Sequence, residues 1–334
     1  MKLVYDALYG DHLRDLGHPE SPDRVEVVAA RLRQRGLAGD VHRAYDAAYG
    51  EIERVHQHDY VELVKREIGD LTGPRYLSTG DVVVDARTLD VARRAAGGAI
   101  AAVDATVETG APVFALVRPP GHHAESARGM GFCVFNNAAI AARAYLARAG
   151  GRVLLIDFDY HHGNGTQDAV GEGLSYVSTH ASPAYPGTGY QSAAIGDDAL
   201  INVPLPASGI ATEAFIAIWE HLLQRAAAFV RPDLIVASAG FDYVAGDPVG
   251  DLGVEVGAAS ALARAINRTA AEYCGGRVAY VLEGGYDIDA LSESIAQVIE
   301  VTDRGDTSGN GAQKQAIPAA QRELLRAIDE RFRR

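Results

Sequence analysis

The amino-acid sequence predicts a single α/β domain with a mostly parallel sheet that helices cover on both faces. Strand-like apolar runs alternate with helix-like segments along the chain, and the runs lack the alternating polar residues of a half-exposed strand. Hydrophobic residues make up 48% of the 334 residues, which is enough to fill one large core.

Strands are predicted where β-branched and leucine residues follow one another without polar interruption, as in a strand buried on both faces. The predicted strands cover residues 2–5, 112–117, 153–156, 174–179, 234–240 and 277–282. Helices are predicted where alanine-rich or amphipathic segments follow start signals such as Pro22 or the capping residue Asn136. The predicted helices cover about residues 22–35, 55–68, 86–106, 137–149, 212–230, 254–273, 287–301 and 318–334.

The sequence divides into a main domain, residues 1–302, a polar linker, residues 303–316, and an amphipathic C-terminal helix, residues 317–334. We expect that helix to dock on the domain or on another subunit. The loop at residues 71–81 contains glycine, proline, serine and threonine and is a candidate rim of a pocket. His56 is interpreted as a structural residue.

Composition argues against several classes of protein. The net charge is −13, from 44 acidic against 31 basic residues, whereas a nucleic-acid binder is expected to carry a basic patch. Cys133 and Cys274 are too few for a disulfide framework, so a reducing cytoplasm is the expected location. The N-terminus carries no signal-peptide pattern, and no run approaches the ~18 apolar residues of a membrane span. We therefore expect neither a nucleic-acid nor a membrane partner.

Acids and a histidine follow the central strand of the chain, which reads V-L-L-I-D-F-D-Y-H-H-G-N-G-T-Q from residue 153. Side chains two apart share a face of a strand, so Asp157, Asp159 and His161 are expected to project together where α/β sheets bind ligands. Asp242 follows a second strand. We predict Asp159, His161 and Asp242 as the ligands of a catalytic metal, a donor set that suits zinc and also iron(II), manganese or cobalt.

A metal that activates water needs a general base and a donor for the developing oxyanion. His122 and His123, which follow the strand at residues 112–117, are candidates for the base, and Tyr286 is the candidate donor. Asn164 is expected to orient His123. Asp157 is either a buried carboxylate satisfied by backbone donors or the group that orients His122, and both interpretations can hold together.

The ordered motifs R-P-P-G-H-H-A-E, G-F-C-V-F-N-N, D-F-D-Y-H-H-G-N-G-T-Q, G-F-D-Y-V-A-G-D-P and E-G-G-Y resemble the zinc-dependent histone deacetylase family. That family includes bacterial histone deacetylase-like amidohydrolases and acetylpolyamine amidohydrolases. The resemblance spans about residues 1–300, and the asparagine at position 164 is closer to its class II branch. It implies one arginase-like α/β domain with a mostly parallel sheet of about eight strands.

The resemblance also implies a role for each matching residue. Asp159, His161 and Asp242 match the ligands of Zn²⁺, for which Fe²⁺ is an alternative in the cell. His123 matches the general base and acid, His122 its electrostatic partner, and Tyr286 the residue that hydrogen-bonds the tetrahedral intermediate. The implied reaction is the hydrolysis of acetyl-lysine or a related acylated amine by metal-activated water.

Further positions match the substrate pocket and a second cation site of the family. Phe132 and Tyr185 match the aromatic walls of the acetyl-lysine tunnel, with tyrosine in place of the commoner phenylalanine. The pocket positions implied by the motifs are Phe132, Gly131, Tyr185, Val249 and Gly284. Asp157 and Ser178 match the side-chain ligands of a structural monovalent-cation site, usually K⁺.

Several readings of the function remain open at the level of sequence. The leading one is a deacetylase of acetylated proteins or peptides, and the second is an acetylpolyamine or other small-amide amidohydrolase. Val249 is apolar where a polyamine-selective branch has a glutamate, whereas Glu20, Asp23 and Asp81 lie in loops that could meet a cationic substrate. An arginase-like ureohydrolase would need acids where Tyr160 and Asn164 stand. A binding module without turnover and a homo-oligomer are further alternatives.

Overall fold

The computed structural model describes residues 1–39, 41–69, 71–309 and 317–333. Its main sheet has nine strands: β1 (Lys2–Val4), β2 (Val41–His42), β5 (Val113–Ala115), β6 (Val153–Asp157), β7 (Leu174–Ser182), β8 (Ala193–Ile195), β9 (Asp198–Pro206), β10 (Leu234–Ala239) and β11 (Val278–Leu282). A separate two-stranded ribbon pairs β3 (Arg75–Tyr76) with β4 (Val83–Val84). This confirms the predicted α/β architecture, with nine strands where about eight were expected.

The sheet has the order β2-β1-β5-β11-β10-β6-β7-β9-β8. Every neighbouring pair is parallel except β8 and β9 at the edge. The central strands β6, β10 and β11 are buried along their whole length, as expected for strands covered on both faces. Because they are parallel, their carboxyl ends lie along one edge of the sheet, beside the ends of β5 and β7.

The helices form two layers around this sheet. They are α1 (Asp23–Gln34), α2 (Tyr49–Ile52), α3 (His58–Gly69), α4 (Thr88–Thr109), α5 (Asn137–Ala149), α6 (Asn164–Asp168), α7 (Thr212–Val230), α8 (Ala258–Tyr273), α9 (Ile288–Asp303) and α10 (Ala319–Arg331). Helices α4 and α5 pack together on the central strands, while α7, α8, α9 and α1 form a second continuous layer. The Asn136 side chain caps α5 by accepting from the Ala139 amide, as the sequence predicted.

The C-terminal helix α10 docks on the domain. Phe332 is buried with its ring edge-on to that of Phe229 at 5.1 Å, and Asp329 accepts hydrogen bonds from His221 and Arg225 of α7. Residues 310–316 of the predicted linker and residue 334 lie outside the described residues. No helix among those described is long and apolar enough to cross a membrane.

Candidate active site

Four neighbouring strand ends, those of β5, β11, β10 and β6, bring the predicted site residues together. His122 and His123 follow β5, Asp157 ends β6, and Asp159 and His161 come directly after it. Asp242 follows β10 and Tyr286 follows β11. In the sheet these strands stand in the order β5-β11-β10-β6, so residues far apart in sequence meet at one edge. This is the edge at which open α/β sheets bind their ligands.

Asp159, His161 and Asp242 form a cluster in which one ligand atom from each residue lies within 4.8 Å of the others. His161 Nδ1 is 3.2 Å from Asp159 Oδ1 and 3.0 Å from Asp242 Oδ2. One imidazole nitrogen and two carboxylate oxygens are a donor set that zinc and iron(II) accept in catalytic sites. The structure therefore brings together the three residues that the sequence predicted as metal ligands.

The electrostatics of this cluster fit a cation. Burial and the neighbouring charge of Asp159 raise the pKa of Asp242 to about 7. Burial lowers the pKa of His161, but hydrogen bonds to Asp159 and Asp242 outweigh this effect and raise that pKa to about 9. Two buried carboxylates in contact repel each other unless positive charge lies between them. A divalent cation held by the same atoms would supply that charge.

His122 and His123 lie side by side, with ring centroids 4.1 Å apart, but have different partners. His122 Nδ1 is 3.1 Å from Asp157 Oδ2, and His123 Nδ1 is 2.8 Å from Asn164 Oδ1. Burial lowers the pKa of His122, but the charges of Asp159 and Asp157 outweigh it and hold that pKa well above its usual value. Burial and the neighbouring His122 instead hold the pKa of His123 well below its usual value.

The backbone that carries the histidines is fixed by Glu283, which directly follows β11, the strand next to β5. Its Oε2 accepts from the amides of Gly121 at 2.7 Å and His122 at 3.1 Å, and its Oε1 accepts from the Ser238 hydroxyl at 3.2 Å. Burial raises the pKa of Glu283 to about 7. The sequence singled out this residue only as the first letter of E-G-G-Y, without a role.

Tyr286 is held from two sides. Its backbone amide donates to Asp247 Oδ2 at 2.6 Å, and the guanidinium of Arg24 lies 4.7 Å from the centre of its ring. Arg24 also donates to the carbonyl oxygens of Glu283 and Gly285, the latter at 2.7 Å. Burial raises the pKa of Tyr286 well above its usual value, so its hydroxyl keeps its proton.

Three of the residues matched to the substrate pocket lie against His123 or Tyr286. The Tyr185 ring stands edge-on to His123 at 5.1 Å, and Phe132 stands edge-on to Tyr286 at 5.9 Å. A Cβ on Gly131 would lie 2.3 Å from His123 Cδ2, so this close approach requires glycine. Val249 is half-buried and its amide donates to Asp247 Oδ1.

Asp81 connects the two sides of this pocket. Tyr185 is 39% exposed and its hydroxyl donates to Asp81 Oδ2 at 3.0 Å, while the Gly131 amide donates to Asp81 Oδ1 at 2.9 Å. The predicted rim loop therefore contributes a carboxylate at the pocket mouth. The ring of His18, a residue to which the sequence gave no role, lies 4.7 Å from that of Phe132.

Asp157 and Ser178 are neighbours across the β6–β7 pair, in the register that aligns the two residues. Both are fully buried. Asp157 Oδ2 accepts from the Tyr176 hydroxyl at 2.9 Å and its Oδ1 from the Asp159 amide at 3.2 Å, while Ser178 Oγ is 2.9 Å from His180 Nδ1. Both interpretations of Asp157 therefore describe contacts that it makes, with the backbone and with His122.

One expectation about the rim was wrong. Glu20 was expected in a loop that could meet a cationic substrate, but it is completely buried and pairs with Arg24 and Arg118. Asp23 is exposed at the start of α1. Sequence reasoning also missed the roles of Arg24 and Asp247 beside Tyr286. Their contacts join separate parts of the chain and leave no local pattern that would have revealed them.

Comparisons with known proteins agree on one family. The family model described as "Histone deacetylase domain" matches residues 18–302. Histone deacetylase 14, chloroplastic, from Arabidopsis thaliana is 35% identical over 319 residues, covering 88% of this chain and 75% of the relative. Human polyamine deacetylase HDAC10 is 36% identical over 303 residues, covering 84% of this chain and 44% of the relative.

The fold is similar to a solved structure. The crystal structure of the HDA15 HD domain superposes with a TM-score of 0.86 at 31% sequence identity, covering 99% of this chain and 94% of that chain. The match therefore extends over the whole sheet and both helical layers, including the strand ends that carry the cluster.

Proposed function

The chain belongs to the histone deacetylase family, and we propose that it hydrolyses the amide bond of acetylated or otherwise acylated lysine side chains in proteins or peptides. The observation that carries this proposal is the buried cluster of Asp159, His161 and Asp242 beside His123, with Tyr286 on the next strand end. Hydrolysis of an unactivated amide needs a base, an acid and stabilisation of the oxyanion, and these residues supply all three.

We propose Asp159, His161 and Asp242 as the ligands of a divalent cation, with zinc as the first candidate and iron(II) as the second. When bound, such a cation polarises the amide carbonyl and makes a water molecule more acidic. Asp157 and Ser178 are fully buried neighbours in the register of β6 and β7, which supports a proposed site for a monovalent cation, K⁺, behind this cluster.

His123 acts as the general base in this proposal. It is neutral, and its Nδ1–H donates to Asn164 Oδ1, so its Nε2 carries the lone pair that accepts the proton of the attacking water. The same nitrogen then returns a proton to the departing amine. His122 stays protonated beside Asp157 and stabilises negative charge in the transition state without exchanging its own proton.

Tyr286 donates its hydroxyl hydrogen to the developing charge on the amide oxygen. The raised pKa of this phenol keeps the donor protonated. Tyr185, whose ring faces His123, and Phe132, whose ring faces Tyr286, bind the aliphatic part of the lysine side chain, and Gly131 lets that chain approach His123. Together these contacts orient the amide for attack.

An acetylated polyamine is the second candidate substrate. The human relative named a polyamine deacetylase supports it, as does the carboxylate of Asp81 at the pocket mouth, which would attract an ammonium group. Against it, Val249 is apolar and Glu20 is buried, so neither adds negative charge to the rim. We therefore place proteins and peptides first.

The deciding experiment compares substrates at equal low concentration with the zinc-loaded protein. The panel contains acetyl-lysine peptides, longer acyl-lysine peptides, and N-acetylated spermidine and putrescine, and initial rates by mass spectrometry report kcat/KM. Faster hydrolysis of peptides is the expected result. Faster hydrolysis of polyamines would reverse the order of the candidates, and no hydrolysis of any member by the metal-loaded protein would favour a binding module.

We further propose that residues 1–302 form the catalytic domain, that residues 317–334 form an accessory helix, and that the protein works in the cytoplasm. The match of the family model to residues 18–302 supports the first boundary. The contacts of α10 with α7 support a helix that belongs to the same subunit. Both cysteines are free and buried, as is usual in a reducing compartment.

A further inference from the structure

Glu20 lies in a buried group of charged residues behind Tyr286 that takes no direct part in the proposed reaction. Glu20, Arg24 and Arg118, here called the Arg–Glu–Arg cluster, are each completely buried. Glu20 Oε1 accepts from Arg118 Nε at 2.7 Å and from Arg24 Nη1 at 3.0 Å. A single carboxylate oxygen therefore joins two arginines from different parts of the fold.

Arg118 is the fixed end of this cluster. Besides Glu20 Oε1, its guanidinium donates to the carbonyl oxygens of Tyr9 at 2.9 Å, His12 at 2.6 Å and Glu20 at 2.8 Å. Arg118 lies three residues after the end of β5, so this end of the cluster is tied to the sheet. Four hydrogen bonds in fixed directions leave this side chain little freedom to move.

Arg24 is the end that reaches the active site. Its Nε and Nη2 donate to the carbonyl oxygens of Gly285 and Glu283, and its guanidinium plane lies against the Tyr286 ring. The only bond of Nη1 among the described residues is the one to Glu20. Glu20 therefore connects the arginine that supports Tyr286 to the arginine that is anchored in the sheet.

The charges make this connection sensitive to Glu20. Burial raises the pKa of Glu20, but Arg118 and Arg24 outweigh it and hold that pKa below its usual value, so the residue is ionised. Its Oε2 accepts no hydrogen bond from the described part of the chain, and the nearest imidazole nitrogen, Nε2 of His12, is 3.8 Å away. One negative charge thus separates two buried positive charges, and its removal would let them repel each other.

We propose that Glu20 is a positioning residue that sets the orientation of the Tyr286 hydroxyl through Arg24. The proposal rests on the function proposed above, in which Tyr286 stabilises the oxyanion. Removing the charge of Glu20 would displace the Arg24 guanidinium and with it the two carbonyl groups and the ring that it contacts. A misplaced donor lowers kcat more than it weakens substrate binding, because the donor acts mainly in the transition state.

The test is Glu20→Gln in the full-length, metal-loaded protein, with Glu26→Gln as the matched control. Glu26 is a partly exposed acid of α1 that pairs with Arg14 at the surface. We expect Glu20→Gln to lower kcat by about ten- to a hundredfold, with KM and metal content near wild type, and Glu26→Gln to change neither. If Glu20→Gln does not fold, Glu20→Asp keeps the charge but withdraws it from both arginines, and we expect a smaller loss of kcat.

A double-mutant cycle separates positioning from a general loss of structure. If Glu20 acts through Tyr286, the same substitution in a Tyr286→Phe background changes kcat by less than about twofold, because the hydroxyl it positions is absent. Equal losses in both backgrounds would show that Glu20 does not act through Tyr286 and would overturn the proposal.

A second readout does not need turnover. With 3-fluorotyrosine incorporated at position 286, we expect the ¹⁹F resonance to shift in Glu20→Gln and not in Glu26→Gln. An unmoved resonance in Glu20→Gln would overturn the proposal even if activity falls. If the wild-type protein hydrolyses no acylated amine, the proposed function fails, and the ¹⁹F result still decides whether Glu20 positions Tyr286.

Discussion

Gly284→Ala is expected to weaken metal binding strongly by adding a single methyl group. A Cβ at position 284 would lie 2.4 Å from Asp242 Oδ2 and 2.6 Å from Asp159 Oδ2, whereas ordinary contact begins at 3.4 Å. A ligand oxygen must therefore move by about 1 Å, several times the ~0.2 Å tolerance of metal–ligand distances. Gly284 does not have a positive φ, so alanine introduces no backbone strain of its own.

Displacing the groups around a metal ligand typically costs about 10–100-fold in affinity, or roughly 1.4–2.7 kcal/mol. Here the ligands themselves move, so we expect the zinc dissociation constant to rise by about a hundredfold or more. Competition with a chromophoric chelator measures it, and the free energy of unfolding of the metal-free protein shows whether the fold is intact. The matched control is Gly50→Ala, where nothing lies within 4 Å of the added Cβ.

A zinc affinity within twofold of wild type in a folded Gly284→Ala protein would refute the assignment of the two carboxylates as metal ligands. This result would hold whatever the substrate is, because the measurement involves no turnover. A loss in the Gly50→Ala control as well would instead indicate that glycine-to-alanine substitutions perturb this fold generally.

Three further predictions concern the pocket and the fold. Tyr286→Phe is expected to lower kcat by about a hundredfold or more with unchanged metal content, since one oxyanion donor is worth ~2.7–4 kcal/mol; near-normal turnover in steady-state assays would contradict its role. Tyr185→Phe removes the hydrogen bond to Asp81 and is expected to raise KM by up to about tenfold at unchanged kcat, and an unchanged KM would show that this bond does not shape the pocket. Burial lowers the pKa of His56 to about 4, so the unfolded chain binds a proton more readily and the unfolding free energy should fall by about 3 kcal/mol as the pH drops from 6.5 to 4. Urea titrations across this range should show a contribution to the unfolding free energy that is missing in His56→Gln, which has no imidazole at position 56.

The sequence predicted the central part of the fold because the signals there are local. Residues 153–156 have no polar side chain, and the structure buries β6 completely. Asp159 and His161 lie beyond the last residue of β6, where the His161 amide donates to Asp159 Oδ1 at 2.8 Å, so a local turn keeps these two residues together at the strand end. Asp242 joins them because parallel strands present their carboxyl ends at the same edge.

The strands at the edge of the sheet were missed for physical reasons. β9 (Asp198–Pro206) contains Pro204 and ends in Pro206, and proline is unfavourable inside a strand because it cannot donate to the ladder. β8 (Ala193–Ile195) has three residues and is partly exposed, so it lacks the continuous apolar run of a buried strand. The reversal at Gly196, which has a φ of 62°, was the one local signal of their antiparallel pairing.

The placement of Glu20 could not be predicted from local sequence. An acid between two prolines is typical of an exposed turn, and Arg118, its principal partner, is 98 residues away along the chain. A carboxylate is buried only where opposite charges and donors replace water, and those groups come together only in the folded chain. The same holds for Asp247, whose Oδ2 accepts from the backbone amides of Tyr286 and Asp287.

The two adjacent histidines have different roles because a different side chain is hydrogen-bonded to the Nδ1 atom of each ring. Asp157 is an anion and stabilises a proton on His122, whereas Asn164 is neutral and accepts only the Nδ1–H bond of His123. The charge that results on His122 lies next to His123 and lowers the pKa of the second ring further. The base is therefore neutral partly because its neighbour is charged. A carboxylate at position 164 would raise the pKa of His123. His123 would then be the neutral base only at a higher pH, and turnover would begin at that higher pH.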